Sequence, residues 1–586
     1  MLKILSLHIG HDASVMYMDN ISLIGLSEER VSRIKNFNGF PKKAIDFIFK
    51  EKKLSWNKID KLIITSTSIK NSKSYKNFFF FRFKSLDYCN EIPLFARLIF
   101  LFSRRKTFHN YLQEYLSNNS FKGEIVYCDH HLCHITSSLA TYPLNNSYLL
   151  SLDGGGDGLN WTFYSYKNYK LKFLENSKTF YSKNSLTVHD TPADIYSNTT
   201  KFLGFKRLKD EGKIMGLSAQ GKDIYAQLFD SLLTFKNGRF VSRFGPQKRG
   251  FFQNIIGFFN FLLYGKSYDS LQINYMKSKL NKSFNKEDVS ASLQHWCSKI
   301  ITEFIDYLSK KYEFKKENLI VSGGFFSNVL INQMIKERKD INNIYVTPNM
   351  GDGGLVLGGI YLNCSKKNKT KFFSKLTNNV FYGNDVSSNS YKINLTKFRT
   401  INLSDNKLYS YITNSLIKNK IVGIVNGKME FGPRALGNRS IIANPLQKNI
   451  TDILNKRLNR SDFMPFAPMV LDRDAKKVLV NYDELDFSSK FMTITYSVKD
   501  EYKQKLKNIV HNDNTLRVQI IDKHNNKLCY GILSKFSKKT KIPCLINTSF
   551  NVHEEPIIMN LNQGISALEK NVVDLIVSDT KIIFKL

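Results

Sequence analysis

The chain has 586 residues, too long for one ordinary hydrophobic core, so we expect two or more domains. Hydrophobic residues make up 42% and charged residues 23%, proportions that exclude a disordered chain and a multi-span membrane protein. The net charge of +36 would favour polyanionic partners, but the basic residues are spread along the chain as on solvated surfaces, so we expect no nucleic acid partner.

The N-terminal part is predicted to alternate apolar strands with glycine turns. Residues 4–9 form an apolar strand that enters a turn at Gly10–Ser14, and a predicted hairpin with Asp19 and Asn20 at its bend follows. Ser147–Tyr166 repeats the order of apolar strand, acidic glycine turn and aromatic-rich strand. Two such units in one chain indicate an internal duplication.

Two apolar segments, Ile92–Arg105 and Phe251–Gly265, come closest to membrane-binding sequences, although both are shorter than a membrane span. Core or lid helices are the favoured interpretation, and amphipathic helices lying on a membrane are the alternative. Peripheral membrane contact therefore stays open at this stage, as does the oligomeric state.

The histidine-rich segment DHHLCHITSS carries the sharpest local signal. His130 and His134 are four residues apart, so on a helix they face the same side, whereas His131 points elsewhere. Such a pair alone is more often structural than metal-binding. Asp153 and Asp352, on other loops, add acidic ligands and reverse that balance, and this donor set suits Fe(II), Mn(II) or Zn(II) better than Mg(II) alone.

Two more glycine turns follow apolar strands, in Glu317–Ile335 and Asn343–Leu362, and each leads into a predicted helix. Glycines let backbone N–H groups approach phosphate oxygens, and the start of a helix adds partial positive charge. Carboxylates at the turns, including Asp12, can hold a metal ion beside those phosphates. These turns together predict a phosphate-binding cleft.

A composition change marks a predicted domain boundary. The stretch Cys364–Asn379 is polar and basic without clear periodicity, and we place a linker there or slightly after it. Beyond it, a buried-type strand runs into a loop that carries Arg434 and Arg439. Arg460 follows later in the chain. Because arginine binds phosphate or carboxylate through a planar fork, a pocket of such arginines suits an acyl phosphate, while surface salt bridges are the alternative.

The last part of the chain adds hydrogen-bonding groups to this prediction. Arg517 lies in the segment HNDNTLRVQ. An apolar strand beginning at Cys544 ends in polar side chains that include Asn547 and Ser549, which suit ligand binding better than core packing. The seven cysteines are scattered and form no CxxC pair, which indicates reduced thiols and a cytoplasmic protein.

These segments resemble the NodU/CmcH family of carbamoyltransferases along nearly the whole chain. The matching motifs are GHDAS, SEERVSRIKNFNGFP, the HxxxH of His130 and His134, SLDGGGDG, DEGKIMGLSAQG, SGGFFSN, GDGGLVLGG, EFGPRALGNRSI, MPFAP, DNTLRVQ and NTSFNVHEEPI. So many motifs in one order make the resemblance specific.

The resemblance implies an α/β protein with two domains. A duplicated actin-like ATPase (ASKHA-type) domain, similar to the enzyme that transfers threonylcarbamoyl to tRNA, is expected over residues 1–365. A linker over 366–390 and a YrdC-like α/β domain over 391–586 are expected to follow. The implied reaction joins carbamoyl phosphate and ATP into carbamoyl adenylate, whose carbamoyl group then passes to an acceptor hydroxyl. ATP, with Mg(II), and a divalent metal at the histidine site are the implied cofactors.

Site residues carry over motif by motif. The implied metal site consists of His130, His134, Asp153 and Asp352. The implied ATP and adenylate site consists of Gly323, Gly324, Asn328, Gly353 and Gly354. The implied carbamoyl phosphate site consists of Arg434, Arg460, Arg517, Asn547 and Ser549. The implied catalytic residues are His11 and Asp12, either of which would accept the proton of the acceptor, and Glu211 and Lys213 of the EGK segment beside the acceptor cleft.

The chain departs from the family pattern at two places. Many members have Lys two residues before Arg460 and Glu directly after it, where this chain has Leu458 and Ser461. Lys456 and Arg457 are candidates to replace the missing base. GLSAQG also replaces the commoner GLAPYG, on the acceptor side.

Two alternatives from other classes stay open. A tRNA-modifying carbamoyl enzyme would use the +36 charge, and a non-catalytic nucleotide-binding partner would have lost its catalytic ligands. The acceptor is a hydroxyl of a small molecule or sugar, and the basic surface leans slightly towards a nucleotide- or lipid-linked sugar.

Overall fold

The structure is a computed structural model that describes residues 2–73, 106–142, 144–177, 191–244, 271–280, 283–365, 373, 379–386, 396–460 and 466–586. It divides into an N-terminal unit, Met1–Leu23 with Ser27–Ser374, and a C-terminal unit, Ile24–Leu26 with Lys375–Leu586. The apolar segments Ile92–Arg105 and Phe251–Gly265, and most of the expected linker 366–390, lie outside the described residues.

The strands of the N-terminal part of the chain form two five-stranded sheets and one two-stranded sheet. The strands are β1 (Ile4–His8), β2 (Ser14–Met18), β3 (Leu23–Ser27), β4 (Lys61–Ile64), β5 (Glu124–Tyr127), β6 (Ser147–Gly156), β7 (Leu159–Lys167), β8 (Lys170–Asn176), β9 (Leu233–Lys236), β10 (Arg239–Ser242), β11 (Glu317–Ser322) and β12 (Ile341–Val346). The helices are α1 (Glu28–Ser32), α2 (Lys42–Glu51), α3 (Phe108–Ser117), α4 (His130–Thr141), α5 (Pro192–Phe202), α6 (Glu211–Ser218), α7 (Ala226–Leu232), α8 (Leu271–Lys279), α9 (Lys286–Lys311), α10 (Val329–Lys336) and α11 (Leu355–Asn363).

The two five-stranded sheets have the same topology. Their strand orders are β3-β2-β1-β4-β5 and β12-β11-β6-β7-β8. In each, the first strand along the chain is central, with an antiparallel neighbour (β2 or β7) on one side and a parallel one (β4 or β11) on the other. The predicted duplication of an α/β domain is therefore confirmed. The predicted first hairpin is also confirmed, because Asp19 accepts backbone hydrogen bonds from Ile21 and Ser22 at its bend.

Two adjacent glycines let helix α11 pack closely on its neighbours, with Gly358 facing α4 and Gly359 facing strand β1. A Cβ atom on Gly358 would lie 1.9 Å from the carbonyl oxygen of Cys133 on α4. A Cβ on Gly359 would lie 2.7 Å from the Ser6 hydroxyl on β1. Thr136 on α4 also donates to the Gly358 carbonyl at 3.2 Å. This contact joins two parts of the expected metal site, because α4 carries His130 and His134 and α11 begins three residues after Asp352.

The C-terminal unit contains one mixed eight-stranded sheet with helices against it. Its strands are β13 (Phe398–Asn402), β14 (Val422–Val425), β15 (Arg439–Ala443), β16 (Ala467–Leu471), β17 (Tyr496–Ser497), β18 (Thr515–Leu516), β19 (Gln519–Ile521), β20 (Cys544–Ser549), β21 (Leu575–Ser578) and β22 (Lys581–Lys585). Its helices are α12 (Asp405–Ile417), α13 (Ile450–Leu458), α14 (Ala475–Val478), α15 (Asp500–Lys503), α16 (Lys527–Thr540) and α17 (Leu561–Glu569). The large sheet has the order β13-β22-β21-β14-β15-β20-β16-β19, and β17 pairs with β18.

The core of the C-terminal unit lies between this sheet and helices α12 and α16. Leu408 and Ile412 of α12 and Ile532 and Phe536 of α16 are buried against strand residues such as Ile424. The strands predicted after the linker and at Cys544 are confirmed as β14 and β20. Within the described ranges, no helix is long and apolar enough to cross a membrane.

A glycine substitution tests the contact between α4 and α11. We expect Gly358→Ala to lower the free energy of unfolding by about 1–3 kcal/mol, because the new methyl group meets backbone atoms that cannot turn away. Gly212→Ala on α6 is the matched control, since nothing lies within 4 Å of its added Cβ. Thermal unfolding of both variants gives the comparison, and equal stability of the two would contradict the close contact.

Candidate active site

Four side chains from three parts of the N-terminal unit converge on one point. His130 and His134 lie on one side of α4, whose start is capped by Asp129, a hydrogen-bond acceptor for the backbone N–H of Leu132. One nitrogen or oxygen atom from each of four residues lies within 4.8 Å of the other three, in a cluster formed by His130, His134, Asp153 and Asp352. The four residues expected as metal ligands are thus brought together.

The distances show how the cluster is arranged. His134 Nε2 lies 3.0 Å from Asp153 Oδ2 and 3.5 Å from Asp352 Oδ1. His130 Nε2 lies 3.6 Å from the same Oδ1 atom of Asp352. His134 Nδ1 lies 3.3 Å from the hydroxyl of Ser322, so its second ring nitrogen is also held. Both imidazoles therefore direct Nε2 at a shared carboxylate oxygen.

The electrostatics of the cluster favour a cation. Burial opposes protonation of His134, but hydrogen bonds and charges from Asp153 and Asp352 raise its pKa to about 9. Burial would raise the pKa of Asp352, yet the surrounding imidazoles, first those of His11 and His130, hold it well below its ordinary value. Nε2 of His130 is buried and has no hydrogen-bond partner within the described residues. Two imidazoles and two carboxylates with an unused buried nitrogen fit a divalent metal ion.

Asp157 fixes the start of α4 relative to the rest of the cluster. Its carboxylate accepts a hydrogen bond from the backbone N–H of His130 at 2.9 Å. It also accepts from the Ser66 hydroxyl at 2.6 Å and from the backbone N–H groups of Thr67 and Ser68. Gly156 lies against the ring of His130, because a Cβ there would be 2.2 Å from the ring carbon Cδ2. Sequence reasoning missed this role of Asp157, although the second acid of DGGGDG is its signal.

His131 points away from the cluster, as its position on the helix predicted. Its Nδ1 lies 2.7 Å from the Ser151 hydroxyl and its Nε2 lies 3.1 Å from the carbonyl oxygen of Leu159. Burial, with the charges of His130 and His134, lowers its pKa to about 3. His131 is therefore a neutral core residue that ties α4 to the second sheet.

The first loop places two more histidines against the other oxygen of Asp352. His11 Nε2 lies 3.4 Å from Asp352 Oδ2, and His8 Nε2 lies 3.6 Å from it. His8 Nε2 also lies 3.1 Å from the carbonyl oxygen of His11. His8 was missed from the sequence because it reads as the end of strand β1. Asp12 has a left-handed φ of 54°, and its carboxylate accepts a hydrogen bond from Asn36 at 3.4 Å.

The glycine turns expected to bind nucleotide are shaped by close backbone approach. Gly323 has a φ of 107°, and a Cβ there would lie 2.1 Å from the Leu152 carbonyl oxygen. The N–H of Gly324 donates to Asp153 Oδ2 at 3.1 Å, so this turn also holds a metal-site carboxylate. A Cβ on Gly354 would lie 2.0 Å from the Asn349 carbonyl oxygen, and Gly353 accepts a hydrogen bond from Ser14 through its own carbonyl.

Asn328 is the one residue of the expected nucleotide site that is not a glycine, and its side chain forms hydrogen bonds within the protein. Its Oδ1 caps helix α10 by accepting from the backbone N–H of Ile331 at 3.2 Å. Its Nδ2 donates to Gln294 on α9 at 2.8 Å. An asparagine directly before an apolar helix is a typical N-cap, and that signal was present in the sequence.

The expected catalytic residues of the EGK segment, Glu211 and Lys213, form hydrogen bonds and an ion pair within the protein. Glu211 accepts from the Ser197 hydroxyl at 2.8 Å and from the backbone N–H of Leu208. Burial raises the pKa of Glu211 above its ordinary value, against the effect of these hydrogen bonds. Lys213 lies 2.9 Å from Asp210. These contacts fix the start of α6 onto α5.

In the C-terminal unit, three arginines lie close together. Burial first, and then the charges of Arg434 and Arg460, hold the pKa of Arg517 well below its ordinary value. Burial likewise lowers the pKa of Arg434, and that of Arg460 to about 10. Within the described residues, no carboxylate offsets these effects for any of the three, and Nε of both Arg434 and Arg517 is buried without a hydrogen-bond partner. We call this cluster of Arg434, Arg460 and Arg517 the arginine pocket.

Asn547 and Ser549 on β20 help to build the arginine pocket. Arg460 donates to the hydroxyls of Thr548 and Ser549, both at 3.0 Å. Asn547 donates to the carbonyl of Ala435 at 3.0 Å and to Gln519 at 2.7 Å, and so joins the loop after Arg434 to β19. The two residues expected to bind ligand thus contact the pocket wall.

Other arginines of the C-terminal unit bind protein groups outside this pocket. The guanidinium of Arg439 is fully buried and donates to backbone carbonyls, including those of Met559 and Asn426. Leu458 is a fully buried core residue, and Arg457 pairs with Asp574 at 3.1 Å. Arg457 therefore does not replace the missing family lysine. Ser461 and part of MPFAP lie outside the described residues.

Family models match both halves of this chain. The model described as the carbamoyltransferase N-terminus matches residues 3–360, and that described as the carbamoyltransferase C-terminus matches residues 413–585. The chain belongs to the carbamoyltransferase family. It is an enzyme of the carbamoyltransferase class, with the mixed α/β fold that the sequence predicted.

Relatives of this carbamoyltransferase span several organisms. The uncharacterized protein MJ1051 of Methanocaldococcus jannaschii is 29% identical, and the match covers 98% of each chain. Nodulation protein NolNO of Sinorhizobium fredii is 26% identical, over 98% of this chain and 79% of that protein. Nodulation protein U of Rhizobium tropici is 28% identical over 40% of this chain and 39% of its own length.

Two solved structures are distantly similar to the carbamoyltransferase. Full-length HypF in a phosphate- and nucleotide-bound form is 14% identical with a TM-score of 0.34, over 62% of this chain and 46% of that one. HypF of T. kodakarensis is 13% identical with a TM-score of 0.30, over 62% of this chain and 48% of that one. Similarity at this level says nothing about the ligands of the carbamoyltransferase.

Metal binding can be measured without any substrate. We expect His130→Ala to weaken binding of Mn(II) or Zn(II) by more than about 100-fold, because loss of a residue that merely supports a ligand already costs about 10- to 100-fold. The matched control is His295→Ala, which removes a histidine that is 62% exposed. Equilibrium dialysis with metal analysis measures both affinities. Equal metal binding by the two variants would show that the four-residue cluster is not a metal site.

Proposed function

We propose that this carbamoyltransferase activates carbamoyl phosphate with ATP to form carbamoyl adenylate, and then transfers the carbamoyl group to a hydroxyl of a small molecule or sugar. The observation that carries the proposal is the arginine pocket, three partly buried guanidinium groups that pair with no carboxylate in the described structure. A cluster of like charges of this kind is stable when a multiply charged anion occupies it. Carbamoyl phosphate is such an anion, and membership of the carbamoyltransferase family indicates that the transferred group is carbamoyl.

The activation half-reaction is assigned to residues 391–586. Water releases phosphate from carbamoyl phosphate and leaves carbamate. A carbamate oxygen then attacks the α-phosphorus of ATP, the bond to the β-phosphate oxygen breaks, and pyrophosphate leaves. Arg434, Arg460 and Arg517 hold the donor phosphate and stabilise its negative charge through charge-assisted hydrogen bonds. Asn547 and Ser549 keep the loop of Arg434 and the side chain of Arg460 in place.

The transfer half-reaction is assigned to residues 1–365. The acceptor hydroxyl attacks the carbamoyl carbon, the bond to the AMP oxygen breaks, and AMP leaves. The backbone at Gly323, Gly324, Gly353 and Gly354 gives phosphate groups close access. His130, His134, Asp153 and Asp352 would hold a divalent ion, with Fe(II), Mn(II) or Zn(II) as the candidates, which would supply positive charge for phosphate and carbonyl oxygens, and Mg(II) would enter with ATP.

Asp12 is the best-placed group to accept the proton of the acceptor hydroxyl. Burial raises the pKa of Asp12 to about 6, while the charge of His11 lowers it. A base with a pKa slightly below neutral is ionised at pH 7 and still has a useful affinity for a proton. His11, more than one-third exposed and 3.4 Å from Asp352, is placed to contact the acceptor. Glu211 and Lys213 are proposed to act on the acceptor side, where their contacts hold the start of α6 against α5.

The activation half-reaction can be tested without knowing the acceptor. With ATP, carbamoyl phosphate and Mn(II) or Fe(II), we expect pyrophosphate release that depends on carbamoyl phosphate, and carbamoyl adenylate detectable by mass spectrometry. Arg434→Ala should lower the rate by about 10²–10³-fold, since it removes a donor directed at the substrate charge.

The control is Arg399→Ala, which removes an exposed arginine on β13 and should leave the rate unchanged. Pyrophosphate release that ignores carbamoyl phosphate would refute the activation step. If the protein instead carbamoylates added tRNA, the small-molecule acceptor is wrong and the tRNA-directed alternative is right.

A further inference from the structure

His511 lies beside the arginine pocket and has no part in the function described so far. It begins a tight turn in which its backbone N–H donates to the carbonyl of Thr515 at 3.0 Å. Arg517 follows two residues after Thr515, and Gln519 two residues later. Gln519 donates to the carbonyl of Leu436 at 2.9 Å and accepts from Asn547, so it faces the pocket wall. Alternate residues of an extended chain share a face, which places Thr515, and the His511 ring bonded to it, on the pocket side.

A chain of hydrogen bonds fixes which nitrogen of His511 carries the proton. The Thr515 hydroxyl donates its only hydrogen to Asp513 Oδ1 at 2.7 Å. The same hydroxyl oxygen lies 3.2 Å from His511 Nδ1 and must therefore accept a hydrogen from it. In a neutral imidazole this leaves Nε2 as an unprotonated acceptor. No described residue hydrogen-bonds to Nε2.

The surroundings keep this imidazole neutral. Burial first, with a further effect from the charge of Arg517, lowers the pKa of His511 to about 4, although Asp513 opposes the shift. A neutral ring close to Arg517 is a hydrogen-bond acceptor beside a pocket whose other side chains mainly donate. The arginines cannot accept a hydrogen bond, because guanidinium has no free lone pair.

We propose that His511 selects the donor substrate, with Nε2 accepting a hydrogen bond from the NH2 group of carbamoyl phosphate. The inference rests on the proposed function and adds its specificity. Carbamoyl phosphate and acetyl phosphate have nearly the same shape and differ by NH2 against CH3. The arginines bind the phosphate of both equally, whereas an acceptor directed at the NH2 group gains a bond only with carbamoyl phosphate. Against acetyl phosphate the same nitrogen is desolvated without a partner, which is the costly outcome.

Direct binding to the full-length protein tests this assignment. Affinities for freshly dissolved carbamoyl phosphate, acetyl phosphate and inorganic phosphate are measured by calorimetry or competition. We expect the wild-type chain to prefer carbamoyl over acetyl phosphate by at least about tenfold, the equivalent of one hydrogen bond. His511→Leu should reduce that preference to less than about threefold and leave the affinity for inorganic phosphate unchanged within about twofold.

Two further variants separate a specific role from a structural one. His511→Gln retains an acceptor oxygen and should recover part of the preference. Thr515→Val keeps the imidazole but removes the group that fixes its proton, so it should lower the preference without lowering the affinity for inorganic phosphate.

The outcomes distinguish failure of this inference from failure of the proposed function. A preference that survives in His511→Leu overturns the role of His511 and leaves the function intact. A wild-type chain that binds inorganic phosphate but does not discriminate between the two acyl phosphates also overturns it. A wild-type chain that binds none of the three overturns both the arginine pocket as a phosphate site and the selection proposed for it.

Discussion

The candidate active site of the N-terminal unit depends on one carboxylate whose two oxygens face different elements. Asp352 Oδ1 lies near His130 and His134 of α4, and Oδ2 lies near His8 and His11 at the end of β1. β1 is the central strand of the first sheet, while Asp352 directly precedes the helix that packs on both α4 and that strand. A shift of any of these elements by an ångström would break contacts of 3.4–3.6 Å. Gly358 at the contact of α11 with α4, and Gly359 at its contact with β1, therefore support the geometry of this cluster as well as the packing of the core.

The two units solve opposite electrostatic problems. In the first, buried carboxylates and imidazoles concentrate lone pairs, and the arrangement calls for a cation. In the second, the arginine pocket concentrates donors, and the arrangement calls for an anion. Each cluster is costly without its ligand, because buried like charges repel and buried polar atoms lose water. The protein meets this cost with rigid support: Asp157 holds the start of α4, and Glu430 accepts three backbone N–H bonds in the loop that carries Arg434.

Much of this could be predicted from the sequence, because the informative signals were local. The repeat of strand, acidic turn and strand predicted the duplication, and the spacing of His130 and His134 predicted one helical face. Contacts that depend on tertiary structure could not be predicted from the sequence. His8 reads as a strand residue, and nothing local reveals that it meets an aspartate more than 300 positions away. Asn328 shows the opposite case, since local sequence also signalled the helix cap that its side chain forms, while its place in the nucleotide site stays a prediction.

The departure at Leu458 can now be given a physical meaning. Leu458 is fully buried, and its carbonyl accepts a hydrogen bond from the backbone N–H of His553. A lysine side chain at this position would therefore place a charge in the hydrophobic core. Arg457, on the same helix, forms an ion pair with Asp574. The arginine pocket thus keeps three guanidinium groups, and Arg457 adds no fourth. Under the proposed function these three arginines hold the phosphate, which both acyl phosphates share, so discrimination falls to a group at the carbamoyl end, the role proposed for His511.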